Sequence, residues 1–288
     1  MRLTLDESTF CVYVGVMNIN SEFIVSDLSL IRERKPLIHN VTNHVSMEWV
    51  ANGLLALGAA PIMAHAPEEI SDIVDISEAL VLNMGTLDAA WIESAKLALT
   101  TAAKKGIPVV LDPVGVGATP YRTRVARELL AQGGVSVVRG NPSEICGLVG
   151  EKATTYGVET SLLPSEAYDA SQKLFDEFNC VVIASGPDDL VIGPSQMLRI
   201  YNGTSMMTRV TGMGCLVSSV IAAFCTVQKN YTLAAAHAMA YCCITGERAA
   251  VDCPGMGSYK VAYLDCLSAM KEEWISKLLT VESHDTKY

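Results

Sequence analysis

Positive charge and aromatic rings are scarce in this sequence. Its 288 residues include 21 Lys and Arg against 31 Asp and Glu, a formal net charge of −10, and only 6% are aromatic. An acidic chain repels the phosphates of nucleic acids and of anionic membranes, so neither is expected as the main partner. If the protein handles phosphate groups, a metal ion, backbone amides or a few placed basic residues must neutralise them locally.

Paired-cysteine motifs are absent as well. The nine cysteines are an odd number, include no C-x-x-C, and have no histidines at zinc spacing around them. Several lie in alanine-rich stretches typical of helix interiors, and the neighbours Cys242 and Cys243 are interpreted as core-filling side chains. This pattern indicates free thiols in a reducing compartment, so we expect a cytoplasmic protein.

The sequence pattern also predicts no secretory leader and no linker. Its N-terminus carries Asp6 and Glu7 and lacks a positively charged n-region. The uncharged run 210–228 approaches the length of a membrane span, but its glycines and hydroxyl side chains favour a helix buried in a core. Residues 1–16 are expected to be an N-terminal extension, and residues 17–288 a single domain.

What the sequence does contain is apolar mass in short, regularly spaced runs. Half of the residues are hydrophobic. Strands are predicted at 36–39, 59–63, 80–84, 108–112, 135–139 and 181–185, with helices between them at 44–57, 67–76, 88–104, 121–130 and 165–178. Strands about thirty residues apart with helices between them are the signature of βαβ units in a parallel sheet.

After residue 185 the pattern changes. Runs at 190–192 and 197–201 flank Gly193-Pro194-Ser195, which predicts an antiparallel hairpin at the sheet edge. Three helices are predicted to follow, at 215–228, 233–251 and 258–279. The fold class is therefore α/β, with three layers and helices on both faces of a mostly parallel central sheet. In such folds ligands bind beyond the carboxyl ends of the strands.

The most informative motif is the turn Thr211-Gly212-Met213-Gly214-Cys215, directly before an apolar helix. Two glycines let successive N–H groups point into one concavity, and the helix start adds partial positive charge. The turn suits phosphate oxygens. The alternative is an ordinary glycine-rich helix start, because the motif is neither a Walker loop nor G-x-G-x-x-G.

Three charged residues follow or end predicted strands. Asp112 and Glu144 are able to face one crevice, where two carboxylates suit Mg²⁺ held together with substrate phosphates. Alternatively, Asp112 is a turn residue before Pro113 and Glu144 an acid in a helix first turn. Arg139 either contacts nucleotide phosphates or caps the sheet edge.

These motifs occur in the order found in ribokinase-like kinases. Most of that superfamily has Asp at the end of the glycine turn, where this chain has Cys215. Cysteine there, together with His39-Asn40-Val41-Thr42-Asn43 and the segments 52–64 and 112–119, resembles the hydroxyethylthiazole kinase family of thiamine salvage. The resemblance runs from about residue 36 to the last helix. Met213, where a small residue is usual, and Pro142, where Ala is frequent, depart from it without removing a functional group.

The resemblance implies transfer of a phosphoryl group from Mg-ATP to the primary hydroxyl of 4-methyl-5-(2-hydroxyethyl)thiazole. It also implies a homotrimer with thiazole sites between neighbouring subunits. The roles it implies are Asp112 and Glu144 for Mg²⁺, Arg139, Asn141 and Ser185 for ATP, Asn43, Met63 and Gly212 for the thiazole alcohol, and Gly212, Gly214 and Cys215 for catalysis. Arg122 also fits the family pattern, without an assigned role.

The residue chemistry is compatible with these roles but leaves alternatives open. Met63 is polarizable and packs well on a sulfur heterocycle, and Asn43 is able to hydrogen-bond the ring nitrogen. Without the resemblance, Met63 is interpreted as a core side chain and Asn43 as a helix N-cap residue. Cys215 at a helix start is expected to have a depressed pKa and to assist modestly as a base, since phosphoryl transfer depends mainly on positioning and charge stabilisation.

Three other functions remain possible from the sequence. One is a related kinase acting on another alcohol, such as hydroxymethylpyrimidine. Another is a hydrolase or acyltransferase with Cys215 as the nucleophile, which requires His39 or His65 to approach it in space. The last is a nucleotide-binding module without catalysis, which has no need for two carboxylates and an anion-binding turn.

Overall fold

The computed structural model describes residues 19–151, 155–156, 159–160, 162–194, 196–251 and 253–285. The expected extension at residues 1–16 lies outside these described residues. The elements in chain order are α1 Ser21–Arg34, β1 Leu37–Val41, α2 Met47–Leu57, β2 Ala60–Ile62, α3 Pro67–Ile76, β3 Ala79–Asn83, α4 Ala89–Lys105, β4 Val109–Asp112, α5 Pro120–Gln132, β5 Val137–Gly140, α6 Pro142–Leu148, β6 Thr155–Tyr156, β7 Glu159–Thr160, α7 Tyr168–Phe178, β8 Val181–Ser185, β9 Asp189–Ile192, β10 Gln196–Ile200, α8 Met213–Val227, α9 Tyr231–Ala250, α10 Met256–Ser268, α11 Glu272–Leu278 and β11 Val281–Asp285.

The main sheet of the described residues has nine strands in the order β11-β10-β9-β8-β5-β4-β3-β1-β2. Neighbours from β2 to β8 pair in parallel, and β8, β9, β10 and β11 pair antiparallel. The remaining two strands, β6 and β7, form a separate small hairpin. The prediction of an α/β fold with a mostly parallel sheet is confirmed.

Apolar side chains cover both faces of the sheet. Val110 and Val137 point into a layer that contains residues of α1, α2, α8, α9 and α10. Their chain neighbours Val109 and Val138 point into the opposite layer, which contains residues of α3, α4, α5, α6 and α7. Successive strand residues face opposite sides, so strands with helices on both faces must be apolar at every position. This explains the continuous hydrophobic runs of the sequence.

Several elements begin and end where the sequence offers a suitable capping residue. Asp88 accepts a hydrogen bond from the Trp91 N–H at the start of α4, and Gly106 ends that helix with a φ of 76°. Thr119 caps α5 in the same way, with Pro120 as its first residue. These are favoured positions for each residue type.

Two predicted elements near the C-terminus are wrong in part. The helix predicted at 258–279 is divided into α10 and α11. Arg32, from α1, donates hydrogen bonds to the carbonyl oxygens of Leu267 and Ser268 and so satisfies the end of α10. The predicted hairpin of β9 and β10 is present, but it is not at the sheet edge, because β11 pairs with the outer side of β10.

The glycine turn leads into a buried helix, as predicted. Every residue of α8 from Leu216 to Thr226 is buried. No helix in the described parts of the chain combines the length and apolar character needed to cross a bilayer. Cys242 and Cys243 are buried in α9, which confirms that they fill the core. All eight cysteines in the described residues are free thiols.

Gly53 allows α2 to pack closely on α8. A Cβ at Gly53 would collide with the Leu216 side chain. We therefore expect Gly53→Ala to lower the free energy of unfolding by about 1–3 kcal/mol in urea titrations, because it overpacks the core. Gly257→Ala is the matched control. Gly257 is exposed in α10, and a Cβ there would meet nothing within 4 Å. The free energy of unfolding of this variant should be equal to that of wild type or higher, because alanine favours the helix. Equal stability of Gly53→Ala and wild type would contradict this account.

Candidate active site

The ends of three neighbouring strands and the first turns of α8 are joined by side-chain hydrogen bonds. Asn43, just after β1, donates from Nδ2 to the Cys215 Sγ at 3.2 Å and to the Asn83 Oδ1 at 2.8 Å. Asn83, at the end of β3, donates to the Asp112 Oδ2 at 2.7 Å. Ser218, one turn beyond Cys215, donates to the same oxygen at 2.8 Å. The result is a closed network that fixes the thiol relative to the Asp112 carboxylate.

Glu144 is fixed by backbone amides. Its Oε2 accepts from the Asn141 N–H at 2.8 Å, and the Asn141 side chain accepts from the Glu144 N–H, which forms a capping box at the start of α6. Its Oε1 accepts from the Gly115 N–H at 2.8 Å, in the loop that follows Asp112. The Glu144 carboxylate therefore connects the loops after β4 and β5.

Both carboxyl groups are buried and interact with each other. The pKa of Glu144 is raised to about 7. Burial is the largest cause, and the nearby Asp112 charge adds to it. Burial also raises the pKa of Asp112, although the Arg139 charge and the hydrogen bonds from Ser218 and Asn83 oppose the increase. Two adjacent acids with one nearby guanidinium suit a divalent cation, whose charge would relieve their repulsion.

The glycine turn approaches protein atoms at both ends. Gly212 has a φ of 81°, and a Cβ there would lie 2.7 Å from the Ser46 Cβ. A Cβ at Gly214 would lie 2.5 Å from the Arg139 Nη1. Both glycines are therefore required by close contacts: Ser46 packs beside the first and the Arg139 guanidinium lies over the second. The predicted phosphate-binding turn thus lies against a cation.

Other residues assigned by resemblance have partners within the protein. The Ser185 Oγ donates to the Gly140 carbonyl oxygen at 3.2 Å, and Asn141 is the N-cap of α6. Met63 follows β2 and packs partly buried against the core. Asn43 does not cap a helix directly, because α2 begins only at Met47 and not at residue 44 as predicted. Its Oδ1 instead accepts from the N–H groups of residues 45 and 46, which form a turn before the helix.

The predicted depression of the Cys215 pKa is wrong. Burial and the Asp112 charge raise the pKa of this thiol, and the smaller opposing effects come from Ser46, Asn43 and Asn83. Proximity to the helix start is outweighed because the thiol faces a carboxylate in a poorly solvated position. The thiol is therefore neutral near pH 7.

The histidines required by the nucleophile hypothesis have other partners. The His39 Nε2 is 3.0 Å from the Ala64 carbonyl oxygen, and the His65 Nε2 is 2.9 Å from the Thr42 carbonyl oxygen. Neither ring is among the groups that contact the Cys215 thiol or shift its pKa in the described chain. The geometry required for an activated cysteine nucleophile is therefore missing.

Sequence reasoning missed two contributors to the site. One is Asn83, which links Asn43 to Asp112. Its signal in the sequence was a polar residue at the end of an apolar strand. Arg122, which had no assigned role, donates from Nη1 to the carbonyl oxygens of Met84 at 2.6 Å and Val114 at 2.8 Å, and from Nη2 to that of Gly85 at 3.0 Å. One guanidinium thus joins the loops after β3 and β4.

Comparisons with known proteins place the fold. A ribokinase-like superfamily protein from Enterococcus faecalis V583 has a solved structure that superposes with a TM-score of 0.61 at 13% identity, covering 83% of this chain and 87% of that one. The fold is therefore ribokinase-like, the class in which the sequence motifs had placed it.

Closer similarity defines the family. The hydroxyethylthiazole kinase family profile matches residues 28–273. A hydroxyethylthiazole kinase from Syntrophus aciditrophicus (strain SB) is 46% identical over 266 residues, 92% of this chain and 98% of the relative. The solved structure of a hydroxyethylthiazole kinase protein from Pyrococcus horikoshii OT3 is 40% identical with a TM-score of 0.84, covering 91% and 99% of the two chains. This chain belongs to the hydroxyethylthiazole kinase family, and it is a phosphotransferase.

The raised pKa of Glu144 predicts a specific dependence of stability on pH. Between the ordinary pKa of 4.5 and the folded-state value of about 7, the folded protein binds more protons than the unfolded chain. In metal-free buffer the free energy of unfolding should therefore fall as pH rises through this window, by up to about 3 kcal/mol. Denaturant titrations at pH 5, 6, 7 and 8 measure it.

Two variants separate this effect from the rest of the protein. Glu144→Gln should reduce the slope, most clearly between pH 6 and 8, whatever its absolute stability; below pH 6 the raised pKa of Asp189, about 6, also contributes. Glu128→Gln should keep it, because Glu128 is an exposed carboxylate paired with Lys96. An unchanged slope in Glu144→Gln would refute the assignment.

Proposed function

We propose that the protein transfers the γ-phosphoryl group of ATP to the primary hydroxyl of 4-methyl-5-(2-hydroxyethyl)thiazole. The observation that carries the proposal is the pair of buried carboxylates, Asp112 and Glu144, tied by hydrogen bonds to the loops around the first turn of α8. The names and identities of the relatives support this acceptor.

The glycine turn divides the proposed site into two sides. Arg139, on β5, lies over Gly214, and Ser185 ends the neighbouring strand β8. We assign this side to the nucleotide, with Asn141 at the adjoining start of α6. Asn43, after β1, lies beside Cys215, and Met63 follows β2, the next strand. We assign this second side to the thiazole alcohol.

In this proposal Asp112 and Glu144 hold Mg²⁺. The metal would neutralise phosphate charge, which an acidic protein needs. The residues of the chain have the remaining roles. The N–H groups at the start of α8 donate hydrogen bonds to the oxygens of the transferred phosphoryl group, and the Arg139 guanidinium offsets negative charge beside Gly214. The Asn83 and Ser218 hydrogen bonds keep the Asp112 carboxylate in one orientation.

Cys215 is proposed to position the acceptor hydroxyl and not to act as a strong base. Its raised pKa leaves little thiolate near neutrality. Phosphoryl transfer has a loose transition state, so alignment of the alcohol contributes more than prior deprotonation. The hydroxyl proton leaves to a phosphoryl oxygen or to water as the new P–O bond forms and the bond to ADP breaks. The Asn43 amide, which donates to the thiol at 3.2 Å, fixes that alignment.

The proposed contact between Asn43 and the thiazole nitrogen needs revision. Both Nδ2 protons of Asn43 already have acceptors, Asn83 and Cys215. An amide nitrogen has no third proton to donate. We therefore propose that Asn43 contributes through the position of Cys215, and that Met63 supplies apolar contact to the ring.

The assembly and setting of the protein follow from the same proposal. We infer a single kinase domain spanning residues 17–288 that forms a homotrimer, as the family resemblance implies. The free thiols of the described residues support a reducing, cytoplasmic location. The net charge of −10 supports small-molecule partners and argues against nucleic acid and anionic membranes.

ADP release on addition of each candidate alcohol tests the function. We expect release with the thiazole alcohol and little with hydroxymethylpyrimidine. Asp112→Asn should lower kcat/KM by roughly a hundredfold or more, because it removes a negative charge that would hold the Mg²⁺ bound to the phosphates. Asp72→Asn, an exposed acid in α3, serves as the control and should retain wild-type kinetics. Preference for the pyrimidine would replace the proposed acceptor.

The neutral thiol predicts a modest role for Cys215. Cys215→Ser should keep kcat within about tenfold of wild type, because serine also positions the alcohol. Cys215→Asp should remain active, as expected from the Asp that most ribokinase-like kinases carry there. Steady-state kinetics at pH 7.5 measure both, with Cys266→Ser as a control for the loss of a partly buried thiol elsewhere. Complete loss in Cys215→Ser would show that the thiol itself is essential.

A further inference from the structure

Ser46 stands where a serine usually caps a helix, yet its hydroxyl does not do so. It immediately precedes α2, its φ and ψ are −105° and −1°, and its side chain makes no capping hydrogen bond. N-cap serines ordinarily have extended backbone and accept from an N–H two or three residues later. The turn before α2 is stabilised by Asn43 instead. Helix capping therefore does not explain the Ser46 hydroxyl.

The hydroxyl is also buried, and the polar group beside it is a thiol. Ser46 is 1% exposed, and no oxygen or nitrogen atom of the described residues pairs with its Oγ. A hydrogen-bonding contact with the Cys215 thiol lowers the pKa of that thiol, and a thiol is a weak partner for a hydroxyl group. Most buried polar groups are hydrogen-bonded, since an unpaired one is costly. A ligand atom that pairs with Oγ would remove this cost.

Unpaired groups cluster around the glycine turn. Trp49 lies one turn along α2 from Ser46, its Cδ1 is 3.3 Å from where a Gly212 Cβ would stand, and its Nε1 is buried without a partner in the described structure. On the other side, Arg139, whose Nη1 lies against Gly214, has a buried Nε without a partner in the described structure. Three unsatisfied polar atoms thus surround one five-residue turn, which indicates that a polar ligand completes it.

The position of Ser46 indicates which of the two substrates its hydroxyl would contact. Arg139 lies on β5, next to β8, where the nucleotide is assigned. Ser46 lies in the segment after β1, on the far side of the turn, beside Cys215 and Asn43. This is the side assigned to the alcohol. On that side the reacting hydroxyl is the substrate group that must approach the thiol and the helix start, because the proposed transfer takes place there.

We propose that the Ser46 hydroxyl donates a hydrogen bond to the reacting oxygen of the acceptor alcohol and is a substrate-binding residue. The assignment rests on the proposed function. An alcohol oxygen has two lone pairs, so one accepts from Ser46 while the other faces the phosphorus. Ser46 thereby orients the nucleophile without taking its proton, and it contributes mainly to alcohol affinity.

Kinetics and stability of Ser46→Ala test this role together. We expect the KM for the thiazole alcohol to rise roughly threefold to tenfold and the KM for ATP to change less than twofold. The free energy of unfolding should change little or increase, because the protein loses only the weak contact between the hydroxyl and the Cys215 thiol. A structural role predicts the opposite: lower stability with an unchanged KM. That outcome would overturn the proposal.

Ser219→Ala is the matched control. Ser219 is also about 1% exposed, but its Oγ donates to the Asn40 Oδ1 at 2.7 Å. Its loss leaves a buried acceptor unpaired, so stability should fall while the KM for the alcohol is unchanged. A rise of the alcohol KM in Ser219→Ala equal to that in Ser46→Ala would show that the effect is not specific to Ser46 and would overturn the proposal.

A substrate-side deletion checks the contact without turnover. 4-Methyl-5-ethylthiazole lacks only the reacting hydroxyl, so Ser46→Ala should weaken binding of the alcohol by calorimetry but leave binding of the ethyl compound unchanged. Equal effects on both ligands would place Ser46 elsewhere in the pocket and overturn the proposal. If the wild-type protein neither binds nor phosphorylates the alcohol, the proposed function is refuted. If the wild-type protein is active but Ser46→Ala leaves the KM and the binding of the alcohol unchanged, only the Ser46 assignment is refuted.

Discussion

The Asp112 carboxylate is the group on which the rest of the site depends. It is buried at the end of β4, and its Oδ2 accepts two hydrogen bonds, one from the neighbouring strand and one from α8. Placing a charge there is costly, so the surrounding residues must be specified closely. Its repulsion of Glu144, its effect on Cys215 and its attraction to Arg139 all follow from that one buried charge.

A buried charge is favoured by loops with a fixed conformation. Side chains from elsewhere in the chain fix the loops around Asp112 by hydrogen bonds to their backbone groups. Arg122 satisfies three carbonyl groups in the loops after β3 and β4, and Glu144 accepts from Gly115 in the second of them. Each loop is therefore held by charge-assisted hydrogen bonds to a side chain from outside it. Preorganised donors and acceptors of this kind cost little further ordering when substrates bind.

The sequence predicted features that depend on local pattern, and it failed where tertiary contacts decide. Apolar runs were sufficient for the six parallel strands and for β9 and β10, and the glycine turn before an apolar run was sufficient for α8. The outermost strand β11 was not predicted, and its pairing with β10 removes the predicted hairpin from the sheet edge. The end of α10 could not be predicted, because it is satisfied by Arg32, a residue more than two hundred positions away. The sign of the Cys215 pKa shift failed for a related reason: helix position is visible in a sequence, whereas burial beside Asp112 is not.

The two glycines of the turn explain how one helix start would serve both substrates of the proposed reaction. Gly212 permits contact with Ser46 on the side of β1, and Gly214 permits contact with Arg139 on the side of β5. A side chain at either position would push one partner away from the helix start. The absence of two Cβ atoms therefore brings a hydroxyl and a guanidinium to opposite ends of the same row of N–H groups. This geometry suits the proposed in-line transfer, in which acceptor and donor approach one phosphorus from opposite directions.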